Sequence, residues 1–311
     1  MKAIVIDQFG DANVLQERDL PTPELGPTEV LVELRATSIN PIDWKRREGA
    51  LGEDKEGLFP VILGGDAAGI VRKTGSDVTS FKAGDRVYAA PQKSGNGTYA
   101  EYAAVDQSEL AVIPEELDFA EAAAIPLAGL TAYQGLVDYG KVQPGDKVLI
   151  HAGSGGVGTL AIQIAKHLGA EVASTASGTH EELLRSLGVD HFINYKEESF
   201  EEILSGYDMV LDTMGGEIQD KSFQVLKPGG RLVSTLEKPD EEKAAAKGIE
   251  GSHFMMKSNG NQLTQISRLV EQEKLKPVIG ERYSFGEEGL RKAHRQSETH
   301  HSRGKIIVTI S

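Results

Sequence analysis

The chain has 311 residues, with 33 lysines and arginines against 47 aspartates and glutamates and no cysteine. Its net charge of −14 disfavours nucleic acid and anionic membrane as partners. The lack of thiols excludes disulfides, a cysteine nucleophile and the usual ligands of structural zinc, and the eight histidines show no ligand spacing, so no metal site is expected.

The first 118 or so residues read as β-rich. Strands are predicted at Lys2–Ile6, Glu29–Ala36, Gly69–Arg72, Arg86–Ala89 and Ala100–Val105, densely punctuated by glycine and proline. The opening segment reads as a strand rather than a signal segment, and no apolar run reaches membrane-spanning length, so the expected location is the cytoplasm. From about Phe119 helix and strand alternate: helix Leu130–Tyr139, strand Lys147–Ile150, helix Thr159–Leu168, strand Glu171–Thr175 and helix Glu181–Leu187. Strands at His191–Asn194, Met209–Asp212 and Arg231–Ser234 complete a pattern that predicts a parallel, helix-covered sheet. Lys238–Lys247 reads as a solvated loop or short helix. Helix Gln262–Gln272, strand Lys276–Gly280, helix Glu287–Gln296 and strand Gly304–Ile310 close the chain, the last strand being expected to rejoin the opening domain.

Between the strand Lys147–Ile150 and the helix that follows lies His151-Ala152-Gly153-Ser154-Gly155-Gly156-Val157-Gly158, a GxGxxG at a strand-to-helix elbow. One glycine permits a tight turn, one lets backbone approach a pyrophosphate, and one lets helix pack on strand. The helix N-terminus adds unpaired N–H groups and partial positive charge. Gly153, Ser154, Gly155, Gly156, Val157 and Gly158 are therefore the candidate dinucleotide-binding residues. About twenty residues after the first glycine an NAD-binding chain places a carboxylate for the ribose 2′-hydroxyl. Here Glu171 opens the strand and its tip is Ser174-Thr175-Ala176-Ser177. This predicts NADPH, with Ser174, Thr175 and Ser177 donating to the 2′-phosphate and His180 or Arg185 as charge partners; a helix cap is the competing reading of the serines.

Seven ordered motifs carry a resemblance over nearly the full length. They are Asn40-Pro41-Ile42-Asp43, Gly65-Asp66-Ala67-Ala68-Gly69, Phe81-Lys82-Ala83-Gly84-Asp85-Arg86-Val87, Gly97-Thr98-Tyr99-Ala100-Glu101-Tyr102, Ala123-Ala124-Ile125-Pro126 with Leu130-Thr131-Ala132, the glycine elbow, and Arg303-Gly304-Lys305-Ile306-Ile307-Val308. The chain resembles the zinc-independent medium-chain dehydrogenase/reductase superfamily, in its quinone oxidoreductase branch. The resemblance implies an α/β protein: a GroES-like β-rich catalytic domain, residues 1–120 and 272–311, and a Rossmann doubly wound parallel-sheet domain, residues 121–271. It also implies a homodimer.

Zinc-dependent relatives place a ligand Cys where this chain has Asn40, and Gly-His-Glu where it has Gly65-Asp66-Ala67. Without a Lewis acid, plain carbonyl reduction is hard, whereas a quinone or α,β-unsaturated carbonyl spreads the incoming charge into a quinolate or enolate that hydrogen bonds can hold. The resemblance implies Asn40 as active-site donor, Asp43 as its organiser and Lys45 as a nearby cation, with Thr131 beside the nicotinamide and Tyr195 near the 2′-phosphate. Arg47 matches a basic position that a surface salt bridge also explains, and Arg303 and Lys305 either reach the cofactor phosphates or flank the last strand. Enoyl reductases carry a tyrosine shortly after the position of Gly49, where this chain has Ala50-Leu51. The expected activity is NADPH-dependent reduction of a small-molecule quinone. The alternatives are reduction of 2-alkenals or alkenones, and a non-catalytic NADPH-binding sensor. Loops 49–60 and 93–97 are expected to shape the acceptor pocket.

Overall fold

The computed structural model describes residues 1–52, 59–95 and 97–310. Parts of both predicted pocket loops, residues 53–58 and 96, lie outside the described residues. The chain divides into two compact units, one of Met1–Leu127, Lys257–Gln272 and Pro277–Ser311, the other of Ala128–Met256 and Glu273–Lys276.

The first unit is built on the strand Glu29–Ile39, eleven residues long and buried at eight of them. A strand buried on both faces does not alternate, and this one is also paired along both edges: Ile307 lies opposite Ser38, Leu34 opposite Gly69 and Leu31 opposite Ala104. Together with Ile279–Ser284, Lys305–Thr309, Ala67–Thr74, Arg86–Ala89, Tyr102–Asp106 and Leu110–Val112 it makes a seven-stranded sheet. The last strand thus pairs antiparallel with Glu29–Ile39. A smaller antiparallel sheet joins Gln16–Asp19, Lys2–Ile6 and Val61–Ile62. The predicted strand at Lys276–Gly280 forms later, at Ile279–Ser284, since Pro277 has no N–H to donate to a ladder.

The second unit is a six-stranded parallel sheet in the order His191–Asn194, Glu171–Ala176, Lys147–Ile150, Tyr207–Asp212, Leu226–Ser234 and Glu250–His253. The edge strand Glu250–His253 has no β-forming composition and is held by its pairing with Leu226–Ser234. Its core unites Leu149, Ala173, Ile193, Val210 and Leu232 from five strands. The predicted helix Leu130–Tyr139 is an α-helix over Pro126–Tyr133 that widens into a π-helical turn over Gln134–Tyr139, closed by Gly140 N–H on the Gly135 carbonyl at 2.8 Å. Glu241–Lys247 is helical, capped by the Asp240 carboxylate on the Lys243 amide at 2.9 Å.

The predicted boundary at 271 needs correction. Helix Gly260–Glu271 belongs to the first unit, where the Tyr88 hydroxyl meets the Leu263 carbonyl at 3.2 Å and the Ser267 hydroxyl at 2.9 Å. An amphipathic period says that a helix has a buried face, not which layer receives it. Among the described residues no helix is long and apolar enough to cross a membrane.

Candidate active site

At the glycine elbow the chain turns from Lys147–Ile150 into helix Gly156–His167, with Gly155 at the N-cap. The left-handed residue of the turn is Ala152, φ 52°, rather than a glycine. Gly153 and Gly158 serve close packing: a Cβ on Gly153 would sit 2.0 Å from the Ser174 hydroxyl, and one on Gly158 would sit 2.4 Å from the Ala152 carbonyl. At Gly155 the nearest atom to a Cβ is that same carbonyl, at 3.3 Å, which leaves the outer face open. Ser154, Gly155, Gly156 and Val157 are half-buried, and the first-turn amides behind them have no intrahelical acceptor. These features fit a pyrophosphate.

The strand tip corrects two of the predicted 2′-phosphate donors. Ser174 is fully buried and its hydroxyl donates to the Ile150 carbonyl at 2.8 Å. The Thr175 hydroxyl accepts from the Ala152 amide at 3.3 Å and lies 3.1 Å from His151 Nδ1, so both side chains brace the elbow from beneath. Buried among them, His151 is held neutral, its pKa lowered to about 4 by burial. Arg185 pairs with Glu181 one turn away at 2.8 Å. Hydroxyls remain at the strand end: half-buried Ser177, 2.9 Å from the Thr179 hydroxyl, and Tyr195, which is 51 % exposed. Glu171 sits at the other end of its strand against His191 at 2.9 Å. Thr131 is buried on helix Pro126–Tyr133.

In the first unit Asn40 and Asp43 belong to a buried polar network. Asn40 precedes helix Pro41–Arg47, and its backbone N–H donates to Asp43 Oδ2 at 2.8 Å. The Asn40 Nδ2 donates to Asp66 Oδ2 at 2.7 Å, and its Oδ1 accepts from the Lys305 ammonium. Asp66, wholly buried, accepts also from Ser38 on Oδ2 and from the Leu127 amide on Oδ1 at 2.7 Å. Asp43 is pushed up to about 7, mainly by burial and further by the nearby Asp66 carboxylate. Its Oδ2 accepts from the Tyr99 hydroxyl at 3.1 Å; that hydroxyl lies 3.0 Å from His294 Nε2, and His294 Nδ1 lies 3.1 Å from Arg47 Nη1. Arginine only donates, so His294 Nδ1 accepts, Nε2 carries the hydrogen, and the Tyr99 proton is directed at Asp43. Arg47, for which the sequence left open a basic position of the branch or a surface salt bridge, is completely buried, against the surface reading; it reaches Glu298 at 2.6 Å, Glu48 at 2.7 Å and the Gly10 carbonyl at 2.9 Å. Lys45 is half-buried, its ammonium 5.7 Å from the Trp44 ring centre. The buried cation beside Asn40 is Lys305, 265 residues distant in sequence. No local signal marked Asp66 and Lys305 as partners of Asn40, Tyr99 as the partner of Asp43, or His294 as the link from Tyr99 to Arg47.

Residues 26–115 match the family model of the alcohol dehydrogenase GroES-like domain, and 187–308 that of the zinc-binding dehydrogenases. The chain is 38 % identical to an NADPH-dependent alkenal/one oxidoreductase of Arabidopsis thaliana, over 99 % of this chain and 79 % of that one. It belongs to the medium-chain dehydrogenase/reductase family. A 2-methylene-furan-3-one reductase of Solanum lycopersicum is 37 % identical over the same shares. The solved quinone oxidoreductase of Coxiella burnetii superposes with a TM-score of 0.93 at 37 % identity, covering 100 % of this chain and 99 % of that one.

The zinc in one family model's description finds no matching donor set around Asn40. The chain has no thiolate, the Asp66 Oδ2 lone pairs face Ser38, Asn40 and Lys305, and the position of a cation is filled by an ammonium. These residues do not fit a zinc ion. In this dehydrogenase/reductase the polar centre is organised around a lysine.

Proposed function

We propose that the protein is a zinc-independent, NADPH-dependent reductase of conjugated carbonyl acceptors, with quinones as its first substrate class. The observation that carries this reading is the Asn40 carboxamide, buried and held at both ends by Asp66 and Lys305. A fixed neutral N–H donor with a cation behind it suits an oxygen that gains charge late and in delocalised form, as a quinolate or enolate does. The glycine elbow would hold the pyrophosphate, and Ser177 and Tyr195 the 2′-phosphate, at a strand tip without a carboxylate to repel it. Bound there, the nicotinamide supplies a hydride. Asp43, protonated up to about pH 7, is the side chain next to Asn40 that can return a proton.

Reduction of 2-alkenals or alkenones is the second reading, favoured by the identity to the Arabidopsis oxidoreductase. The test follows absorbance loss of NADPH and of NADH with an ortho-quinone, a para-quinone and a 2-alkenal. Faster NADPH oxidation with a quinone supports the proposal, and turnover of the alkenal alone selects the second reading. Tight NADPH binding without turnover of any acceptor makes the protein a nucleotide sensor. Asn40→Ala is expected to lower turnover roughly 10²-fold while NADPH binding stays intact; equal loss of both would remove Asn40 from the acceptor side.

A further inference from the structure

Lys305 lies on the strand Lys305–Thr309 with only 5 % of its surface exposed. Its ammonium has three hydrogens and three acceptors: Asn40 Oδ1, the Ile39 carbonyl at 3.3 Å and Asp66 Oδ2 at 3.3 Å. Asp66 is equally saturated, taking Leu127 on one oxygen and Ser38, Asn40 and Lys305 on the other. The amide of Asn40 therefore has one possible orientation. Turning it over would set its NH2 against an ammonium and its carbonyl against a carboxylate, losing both bonds. Of the two Nδ2 hydrogens, one is directed at Asp66, and the other has no acceptor among the described residues.

An ammonium on the carbonyl end draws electron density through the amide and strengthens the N–H at the other end. Stability is a weak explanation for such an arrangement, because a buried ion pair is commonly matched or exceeded by neutral residues of similar volume. We propose that Lys305 and Asp66 are positioning residues that clamp the Asn40 carboxamide, presenting its remaining N–H to the acceptor oxygen and lending it the positive charge that a metal ion supplies in zinc-dependent relatives. This rests on the reductase reading and extends it to the source of its electrophilic strength.

The experiment compares the wild type with Lys305→Met/Asp66→Asn, which removes both charges together and leaves no buried ion unpaired. Two quantities are read. The first is the split between kcat and the KM for NADPH. The second is the ionisation of 4-nitrophenol, a chromophoric stand-in for the charged oxygen, titrated by its absorbance on the protein in the presence of NADP+. The clamp predicts that kcat falls roughly 10- to 10²-fold with KM for NADPH within about threefold, and that wild type, unlike the variant, favours bound phenolate over phenol. An unchanged kcat, or the same phenolate preference in both proteins, overturns it. Should the double variant not fold, Lys305→Gln keeps an N–H donor for Asn40 Oδ1 but not the charge, and wild-type kcat in that variant also overturns the clamp. If no acceptor is turned over while the wild type alone prefers phenolate, the reductase reading fails and the clamp stands.

Discussion

Asp43 shows how a single buried group ties the site to pH. Its carboxyl is raised from 3.8 to about 7, so between those values the folded protein holds a proton that the unfolded chain has released. The stability this contributes is complete below about pH 4 and is lost as pH rises through 7. Asp43→Asn keeps an acceptor for Tyr99 and Asn40 and removes the ionisation. Its stability relative to wild type should therefore climb between pH 5 and 8 by a few kcal/mol at most, read from urea unfolding at the two pH values; a difference that does not change with pH would contradict this. Arg47 makes the complementary case. Glu298 and Glu48 are partly exposed and can return to water when it is removed, but His294 loses its donor and the cavity its filling. Arg47→Met should cost about 2–4 kcal/mol in denaturant titration, and it should loosen the orientation of Tyr99 toward Asp43. His294 is held neutral, its pKa lowered to about 3 by burial and by Arg47, so it does not titrate near neutrality.

At the scale of the element, the elbow works by contact distance more than by glycine flexibility. Ala152 takes the left-handed conformation, and Gly158 lets the helix rest on Gly153, whose Cα would lie 2.6 Å from a Gly158 Cβ. Gly158→Ala meets the backbone of Ala152 and Gly153 and cannot be relieved by a side-chain turn. The helix Gly156–His167 would have to withdraw, and the variant is expected to lose about 2–4 kcal/mol and at least tenfold in NADPH affinity, measured by calorimetry. The helix Pro126–Tyr133 changes to a π-helical turn at Gln134, where Tyr139 then stacks on Phe254 at 4.6 Å. That change of winding is invisible to a period of 3.6, which fits the whole segment as one helix.

For the whole molecule, the measurable consequence of the nucleotide reading is linkage. A ligand that binds the folded state alone raises its stability by RT ln(1 + [L]/Kd), about 2.7 kcal/mol at a hundredfold excess over Kd. NADPH should raise the melting temperature by several degrees and NADH by much less at equal concentration. Equal shifts would mean that the strand tip around Ser177 and Tyr195 does not discriminate the 2′-phosphate. Both chain ends contribute strands to the seven-stranded sheet, since Glu29–Ile39 pairs with Lys305–Thr309. Truncation of the last seven residues would therefore remove Lys305 from Asn40 along with a central strand.

What the sequence determined by itself was short-range. The turn chemistry and hydrophobic period marked the elbow, the parallel sheet and its bounding helices, and Asn40 with Asp43 stood three residues apart in one motif. Backbone conformation responds to neighbours within a few residues, so it is written locally. Only the tertiary structure decided which polar side chains meet. Lys305 joins Asn40 across 265 residues, and His294 joins Arg47 across 247. The hydroxyls of Ser174 and Thr175 turn inward because the Ile150 carbonyl and the Ala152 amide lie within reach there. A buried polar atom must find a partner, and the partner's place is fixed by packing of distant elements, which no local pattern records.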